Sequence, residues 1–216
     1  MLWVAGQGML APPLPLERSP INHSDVGQAV PRAGNVVTRL IGRTLLSAMR
    51  WRLEGELPDR KKFIIAVAPH SSNIDFFLTV GVIMSLGLKC SFLAKDSLFR
   101  FPLGIVMRIF GGIPVDRSAR NGVVGVMQRR FNNAEQLILG IAPEGTRKKV
   151  EVWRSGFAQI AQSANVPVQP AIVHYGRRIV YFTTLIERID DWEATVRAMQ
   201  TAALAGEPRR RLFQTN

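Results

Sequence analysis

One stretch of sequence decides the fold: FIIAVAPHSSNIDFFLTVGVIMSL, residues 63–86. Its first part, Phe63–Ala68, is a short unbroken apolar run, which predicts a strand buried on both faces. Its last part, Ile74–Leu86, is longer and mostly apolar, which predicts a helix. A group of polar residues separates the two, at the point where the strand would end. A buried strand that leads into a helix is the repeating unit of an α/β sheet.

The alternation of strands and helices continues along the chain. Further strands are predicted at Lys89–Ala94, Ile113–Val115, Leu137–Ala142, Val166–Val173 and Ile179–Leu185. Helices are predicted at Ser97–Phe110, at Gly122–Gln136, after a cap at Ser155 and at Glu193–Ala203. This order predicts an α/β fold with a mixed, largely parallel central sheet flanked by helices.

The first fifty residues differ in character from the rest. Residues 1–34 are rich in proline and glycine without any period, which predicts a flexible N-terminal arm ahead of a single domain at 35–216. Val36–Leu53 has apolar residues at helical spacing and several arginines, so we expect a basic amphipathic helix. Such a helix can lie among lipid headgroups with Trp51 as an anchor, or pack on the core of the domain, and one helix can do both.

The chain is strongly basic, with 28 lysines and arginines against 16 acidic residues and a net charge of +12. This balance favours an anionic partner such as nucleic acid, an anionic membrane or a phosphorylated ligand, although charge can also serve solubility alone.

The single cysteine, Cys90, excludes an internal disulfide, and one cysteine with three histidines is too few ligands for a zinc site. We therefore predict no metal site, and we also expect no cofactor. No apolar run reaches the roughly 18–20 residues of a spanning helix, and we expect no secretory signal.

A histidine and an aspartate follow the first strand at a spacing that suits a catalytic pair. His70 lies in the turn after Pro69, and Asp75 begins the predicted helix. A carboxylate that accepts the proton of one imidazole nitrogen leaves the other nitrogen available as a general base. Both residues also have structural explanations. Ser72 and Asp75 have the spacing of a capping box, and His70 can simply form hydrogen bonds within the turn.

A second motif, Glu144-Gly145-Thr146-Arg147, follows the apolar run Leu137–Ala142. Arg147 can bind a phosphate through its two parallel N–H groups, and Gly145 lets backbone N–H groups approach an anion. Thr146 can donate a hydrogen bond, and Glu144 can orient the arginine or a substrate hydroxyl. The alternative is an ordinary charged turn after a strand.

Two more cations stand near strand ends. Gly111–Arg117 contains a glycine pair, a short strand and then Arg117, while Lys95 follows another strand. Each alone is typical of a protein surface. Four strand ends that supply a histidine, a lysine and two arginines nevertheless favour an enzyme, because open α/β sheets hold their sites at the carboxyl ends of strands.

Taken together and in order, these motifs resemble those of the glycerolipid acyltransferases of the lysophosphatidate (1-acyl-glycerol-3-phosphate) acyltransferase type. The resemblance covers about residues 50–185. It rests on four blocks in sequence order: His70–Asp75, Lys95–Gly104 with Gly111–Arg117, Glu144–Arg147 and Val166–Pro170.

The resemblance implies transfer of a fatty acyl group from acyl-CoA or acyl-carrier protein to the hydroxyl of a lysophospholipid. It implies a catalytic His70–Asp75 dyad and binding of the acceptor phosphate by Arg117, Arg147 and Lys95. We also expect Glu144, Gly145 and Thr146 of the second motif to bind substrate. We expect a peripheral protein on the cytoplasmic face of an anionic membrane, without a nucleic-acid partner. Two alternatives are a non-catalytic basic protein that binds membrane or nucleic acid, and a thioesterase that uses His70.

Overall fold

The structure is a computed structural model in which residues 20–70, 72, 74–115, 120–145 and 153–204 are described. Seven strands form one sheet: β1 Arg52–Gly55, β2 Lys62–Ala68, β3 Cys90–Lys95, β4 Gly112–Val115, β5 Leu137–Ile141, β6 Val168–His174 and β7 Ile179–Phe182. The helices are α1 Val36–Ala48, α2 Ile74–Leu86, α3 Leu103–Ile109, α4 Arg120–Asn133, α5 Gly156–Ala164 and α6 Trp192–Leu204. The predicted fold class is confirmed.

The sheet has the strand order β1-β7-β6-β2-β5-β3-β4. Five neighbouring strands, from β6 to β4, are parallel, whereas β7 is antiparallel to β6 and β1 is parallel to β7. The carboxyl ends of the five parallel strands therefore meet at one edge of the sheet, which we call the site edge. The turn from β6 to β7 and the start of β1 lie at this edge too.

Helices cover both faces of the sheet because successive side chains of a strand point to opposite faces. Phe63 and Ile65 of β2 pack in one core with apolar residues of α1 and α2. Ile64 and Ala66 pack in a second core with residues of α4, α5 and α6. A small third cluster joins α3 to β3 through Met107 and half-buried Phe92. Since Cys90, two residues before Phe92, packs in the first core, α3 lies on the same face as α1 and α2.

The basic helix ends earlier than predicted. It runs over Val36–Ala48, and Arg50 takes a positive φ of 58° that breaks the helix before β1. Trp51 is only 8% exposed and packs edge-on against Tyr175, with ring centroids 5.0 Å apart. The prediction of Trp51 as an anchor among lipid headgroups was therefore wrong, because the indole belongs to the core.

The predicted flexible arm also differs from the structure over residues 20–34, which pack against the domain. Ile21, Val26 and Val30 are buried in the core beside α2. Backbone hydrogen bonds join Ile21 N–H to Leu53 and Ala33 N–H to Gly87. Apolar side chains without helical or strand spacing gave no sequence signal for this packing. In the described part of the chain, no helix combines the length and apolar character needed to cross a bilayer.

Helices α1 and α2 approach each other closely at a glycine. A Cβ atom on residue 42 would lie 2.4 Å from the backbone nitrogen of Ser85 and 2.7 Å from Cβ of Met84. Any side chain at this position must push α1 away from α2. The glycine therefore allows α1 to cover the core.

We expect Gly42→Ala to destabilise the protein by about 1–3 kcal/mol, because the added methyl group meets backbone that cannot move cheaply. Urea unfolding followed by circular dichroism measures the loss. Gly156→Ala is the matched control, since a Cβ atom there meets nothing within 4 Å. Equal stability of the two variants would show that α1 and α2 do not depend on this contact.

Candidate active site

The site edge brings together residues from strands that are far apart in sequence. His70 follows β2, Glu144 follows β5, and Tyr175 follows β6. Because these three strands are neighbours in the sheet, their ends lie side by side. The sheet thus brings His70 of the first motif and Glu144 of the second motif to one place.

His70 and Asp75 are in contact. Nδ1 of His70 lies 3.2 Å from Oδ2 of Asp75, and the side chains are 30% and 3% exposed, respectively. The contact is possible because His70 lies in the turn before α2, whereas Asp75 lies in the first turn of that helix. On a continuous helix, side chains five positions apart would point in different directions.

Asp75 also caps its own helix. The backbone N–H of Ser72 donates to Oδ2 of Asp75 at 2.7 Å, and the hydroxyl oxygen of Ser72 accepts from the N–H of Ile74 at 3.2 Å. The capping explanation of Asp75 therefore holds, and the same carboxylate also contacts His70; the catalytic role of this pair stays a prediction. One carboxylate fixes the start of α2 and faces His70 at the same time.

A tyrosine that sequence reasoning missed completes the surroundings of Asp75. The hydroxyl of Tyr175 donates to Oδ1, so the two carboxylate oxygens have different partners. Trp51 supports the tyrosine ring from the side. Tyr175 directly follows β6 at the site edge, and this strand-end position was the one available signal. Its distance of 100 residues from Asp75 gave no local pattern.

These partners determine the charge state of Asp75. Burial raises the pKa of this carboxyl, but hydrogen bonds with His70, Tyr175 and the Ser72 N–H together outweigh burial. The pKa of Asp75 consequently lies below its ordinary value, and the group is a carboxylate at neutral pH.

Glu144 is buried beneath the histidine turn. Its Oε1 accepts the backbone N–H of His70 at 2.8 Å, so the end of β5 holds the end of β2. Burial raises the pKa of Glu144, an effect that this hydrogen bond only partly offsets. Among the described residues, Oε2 of Glu144 has no hydrogen-bond partner. The sequence motif did not reveal the backbone contact, and the role of Glu144 in substrate binding stays a prediction.

Gly145 has a positive φ of 65°, and its N–H donates to the carbonyl of Ala142. A Cβ atom there would lie 2.6 Å from Cδ of Arg154, so a side chain at this position would displace the arginine that crosses the turn. Arg154 is thus a cation beside the second motif that the sequence analysis did not single out. Three predicted substrate ligands lie outside the described residues: Arg117, Thr146 and Arg147.

Lys95 is the exposed last residue of β3. It shares the site edge with His70, but β3 is two strands away from β2, a separation of roughly 10 Å across the sheet. The structure therefore does not bring Lys95 into the dyad. Val166–Pro170 lies toward the opposite edge, since Val168 pairs with Ile64 near the start of β2.

This arrangement can serve proton transfer. A carboxylate that accepts the Nδ1 proton leaves the lone pair on Nε2 and stabilises the imidazolium after proton uptake. The imidazole is partly exposed, while its partner is buried. A substrate hydroxyl can therefore approach the ring without disturbing the carboxylate.

Asp75→Asn should lower the free energy of unfolding by roughly 1–3 kcal/mol at neutral pH, because a charged acceptor is lost. The pKa of Asp75 is lower in the folded state, so its stabilisation is present above the ordinary aspartate pKa. It disappears as the pH falls through the folded-state pKa. Urea unfolding at a series of pH values should show the two proteins converging in acid.

Asp190→Asn is the control, because Asp190 is 71% exposed beside Arg188. It should change stability little at any pH. A constant difference between wild type and Asp75→Asn across the acid range would contradict the assigned charge.

Known proteins resemble this chain in sequence and in fold. The family profile described as Acyltransferase matches residues 50–174, more than half of the chain. Comparison with curated protein sequences finds no match. The fold is similar to the crystal structure of the 1-acyl-sn-glycerophosphate (LPA) acyltransferase PlsC from Thermotoga maritima, with a TM-score of 0.57 and 17% identity over 78% of this chain and 77% of that chain. The matched region includes His70, Asp75, Glu144 and most of the sheet, and the chain belongs to the acyltransferase family.

Proposed function

We propose that the protein transfers a fatty acyl group from a thioester donor, acyl-CoA or acyl-carrier protein, to the hydroxyl of a lysophospholipid such as 1-acyl-glycerol-3-phosphate. The contact between His70 and buried Asp75 at the site edge carries this proposal. The similarity to a lysophosphatidate acyltransferase supports the choice of acceptor.

His70 acts as the general base in the proposed reaction. Nε2 takes the proton of the acceptor hydroxyl while the hydroxyl oxygen attacks the carbonyl carbon of the thioester. When the tetrahedral intermediate collapses, the C–S bond breaks and the leaving thiolate takes the proton back from His70. Asp75 stabilises the imidazolium between these steps. A thioester is already activated, so no covalent enzyme intermediate is required.

The acceptor phosphate is proposed to bind where the second motif meets the site edge. Arg147, Arg117 and Lys95 supply charge, and Thr146, which follows the turn at Gly145, supplies a hydroxyl donor. Arg154, which crosses Gly145, adds a further cation to this region. The glutamate of the motif holds the histidine turn from below.

The protein is proposed to work as a peripheral protein at the cytoplasmic face of an anionic membrane. The net charge of +12 supports this location, because anionic lipids of that leaflet attract basic surfaces. Helix α1 contributes a partly apolar outer face, with Val37 and Leu40 each 62% exposed near Arg43.

His70→Ala should reduce acyl transfer by roughly 10²–10⁴-fold while the fold is retained, since base assistance is lost and the partly exposed ring does not hold the core. Mass spectrometry of the lipid products, with circular dichroism of the protein, measures both effects. His23→Ala is the control, because His23 lies beside Leu86 at the far end of α2.

Turnover near the wild-type rate in His70→Ala would exclude the dyad. Release of free fatty acid by the wild-type protein, without any acylated product when acceptor is present, would instead favour a thioesterase.

Arg147→Ala should raise the apparent KM for a phosphorylated acceptor roughly 10–100-fold, because a charge-assisted hydrogen bond is worth about 1.5–3 kcal/mol. The KM for the thioester donor should change less. Arg188→Ala removes an exposed arginine that pairs with Asp190, and it serves as the control. An unchanged acceptor KM in Arg147→Ala would remove this residue from phosphate binding.

A further inference from the structure

Exposed apolar side chains are concentrated on one face of the molecule. In the described part of the chain, every large hydrophobic residue that is exposed lies on α1, α2 or residues 98–110, except Val126 and Leu204. Those two lie on α4 and α6, which cover the opposite face. A one-sided apolar surface of this kind marks an interaction site.

The part nearest the site edge is the α2–α3 surface, which we define by its exposed residues: Phe76, Phe77, Leu98, Phe101, Leu103, Ile105, Val106, Ile109 and Phe110. Phe101 is 86% exposed and Ile109 is 75% exposed. The rings of Phe76 and Phe110 lie 6.5 Å apart and join α2 to the end of α3. The exposed apolar sides of α2 and α3 therefore adjoin each other.

Helix α3 is apolar on nearly all sides. Gly104 and Met107 face the core, and the other apolar residues of Leu103–Ile109 point outward. A helix that is apolar all round normally lies inside a protein or within lipid. Here the outer side of α3 is exposed to solvent. The hydrophobic effect would therefore favour binding of a partner that covers this side.

Cations border the α2–α3 surface. Lys95, Arg100 and Arg108 are exposed around it, and Asp96 is the acidic residue of the same segment. The guanidinium of Arg108 lies 5.6 Å from the ring centroid of Phe99. Long basic side chains around an apolar patch can extend to lipid phosphates while their stems cover apolar surface. This charge pattern fits an anionic bilayer better than a second copy of a basic chain.

The surface and the dyad share one turn of helix. In the first turn of α2, Asp75 points inward to His70, while Phe76 and Phe77 point outward. A bilayer against these rings would bring lipid acceptors to the histidine. We infer that the α2–α3 surface is the docking face for an anionic lipid bilayer, which sets His70 at the level of the headgroups. This inference rests on the proposed lipid acceptor.

The test compares two pairs of matched variants of the full chain. Val106 and Val126 are both 43% exposed helical valines on opposite faces, and Ile109 and Leu204 are both 75% exposed. Binding is measured by sedimentation with vesicles of phosphatidylcholine and phosphatidylglycerol. Val106→Asp and Ile109→Asp should each weaken binding by about tenfold or more, because apolar burial is lost and a charge is introduced. Val126→Asp and Leu204→Asp should bind as the wild type does.

Equal binding by both members of each pair, or no binding by the wild type, would overturn the inference. Sedimentation velocity without lipid provides a second readout. If Ile109→Asp converts a dimer into a monomer, a second copy of the chain covers this surface and the inference is wrong.

Activity on a short-chain, water-soluble acceptor separates the proposed docking face from the proposed acyl transfer. Vesicle binding without any acyl transfer would refute the proposed function alone.

Discussion

The site depends on one buried carboxylate. Asp75 is 3% exposed, and removing a charged group from water costs several kcal/mol unless other groups compensate. Compensation comes from three separate places: the His70 ring after β2, the Ser72 N–H before α2 and the Tyr175 hydroxyl after β6. Because these donors belong to different elements, a low pKa for Asp75 requires the sheet to be correctly assembled.

Two further contacts extend this constraint. Trp51, which directly precedes β1, packs against the ring of Tyr175. The hydroxyl of this tyrosine donates to Oδ1 of Asp75, so the start of β1 is connected to the carboxylate. Glu144 binds the N–H of His70, which connects β5 to the same turn. The position of the histidine is therefore set by side chains outside the contact between His70 and Asp75. The ring is partly exposed, while the carboxylate that supports it stays buried.

The sequence predicted the repeating elements well and the long-range contacts poorly. The apolar run Phe63–Ala68 and the helix Ile74–Leu86 were clear because each has the length and period of its element. The strand β1 was missed, since Arg52–Gly55 is four residues long, half polar and ends in glycine. Tyr175 was missed because a lone tyrosine after a strand carries no pattern until the sheet places it beside Asp75.

Some features could be interpreted in two ways until the structure separated them. Asp75 has the spacing of a helix cap and of a catalytic partner, and the same oxygen, Oδ2, accepts the Ser72 N–H and contacts Nδ1 of His70. Glu144 was expected to face an arginine or a substrate, yet one of its oxygens binds backbone, which no side-chain motif encodes. Trp51 follows an amphipathic helix for which a lipid interface and the core were both considered, and the chain turns at Arg50 and buries the indole.

The most direct test is to determine which ring nitrogen of neutral His70 carries the proton. Long-range ¹H–¹⁵N spectra of the imidazole rings, assigned with variants of His23 and His174, distinguish the two ring nitrogens. The account predicts that neutral His70 carries its proton on Nδ1, toward Asp75, and that replacing Asp75 by alanine abolishes this preference. A neutral His70 protonated on Nε2 in the wild-type protein would contradict it, because Nε2 could not then accept a proton from a substrate.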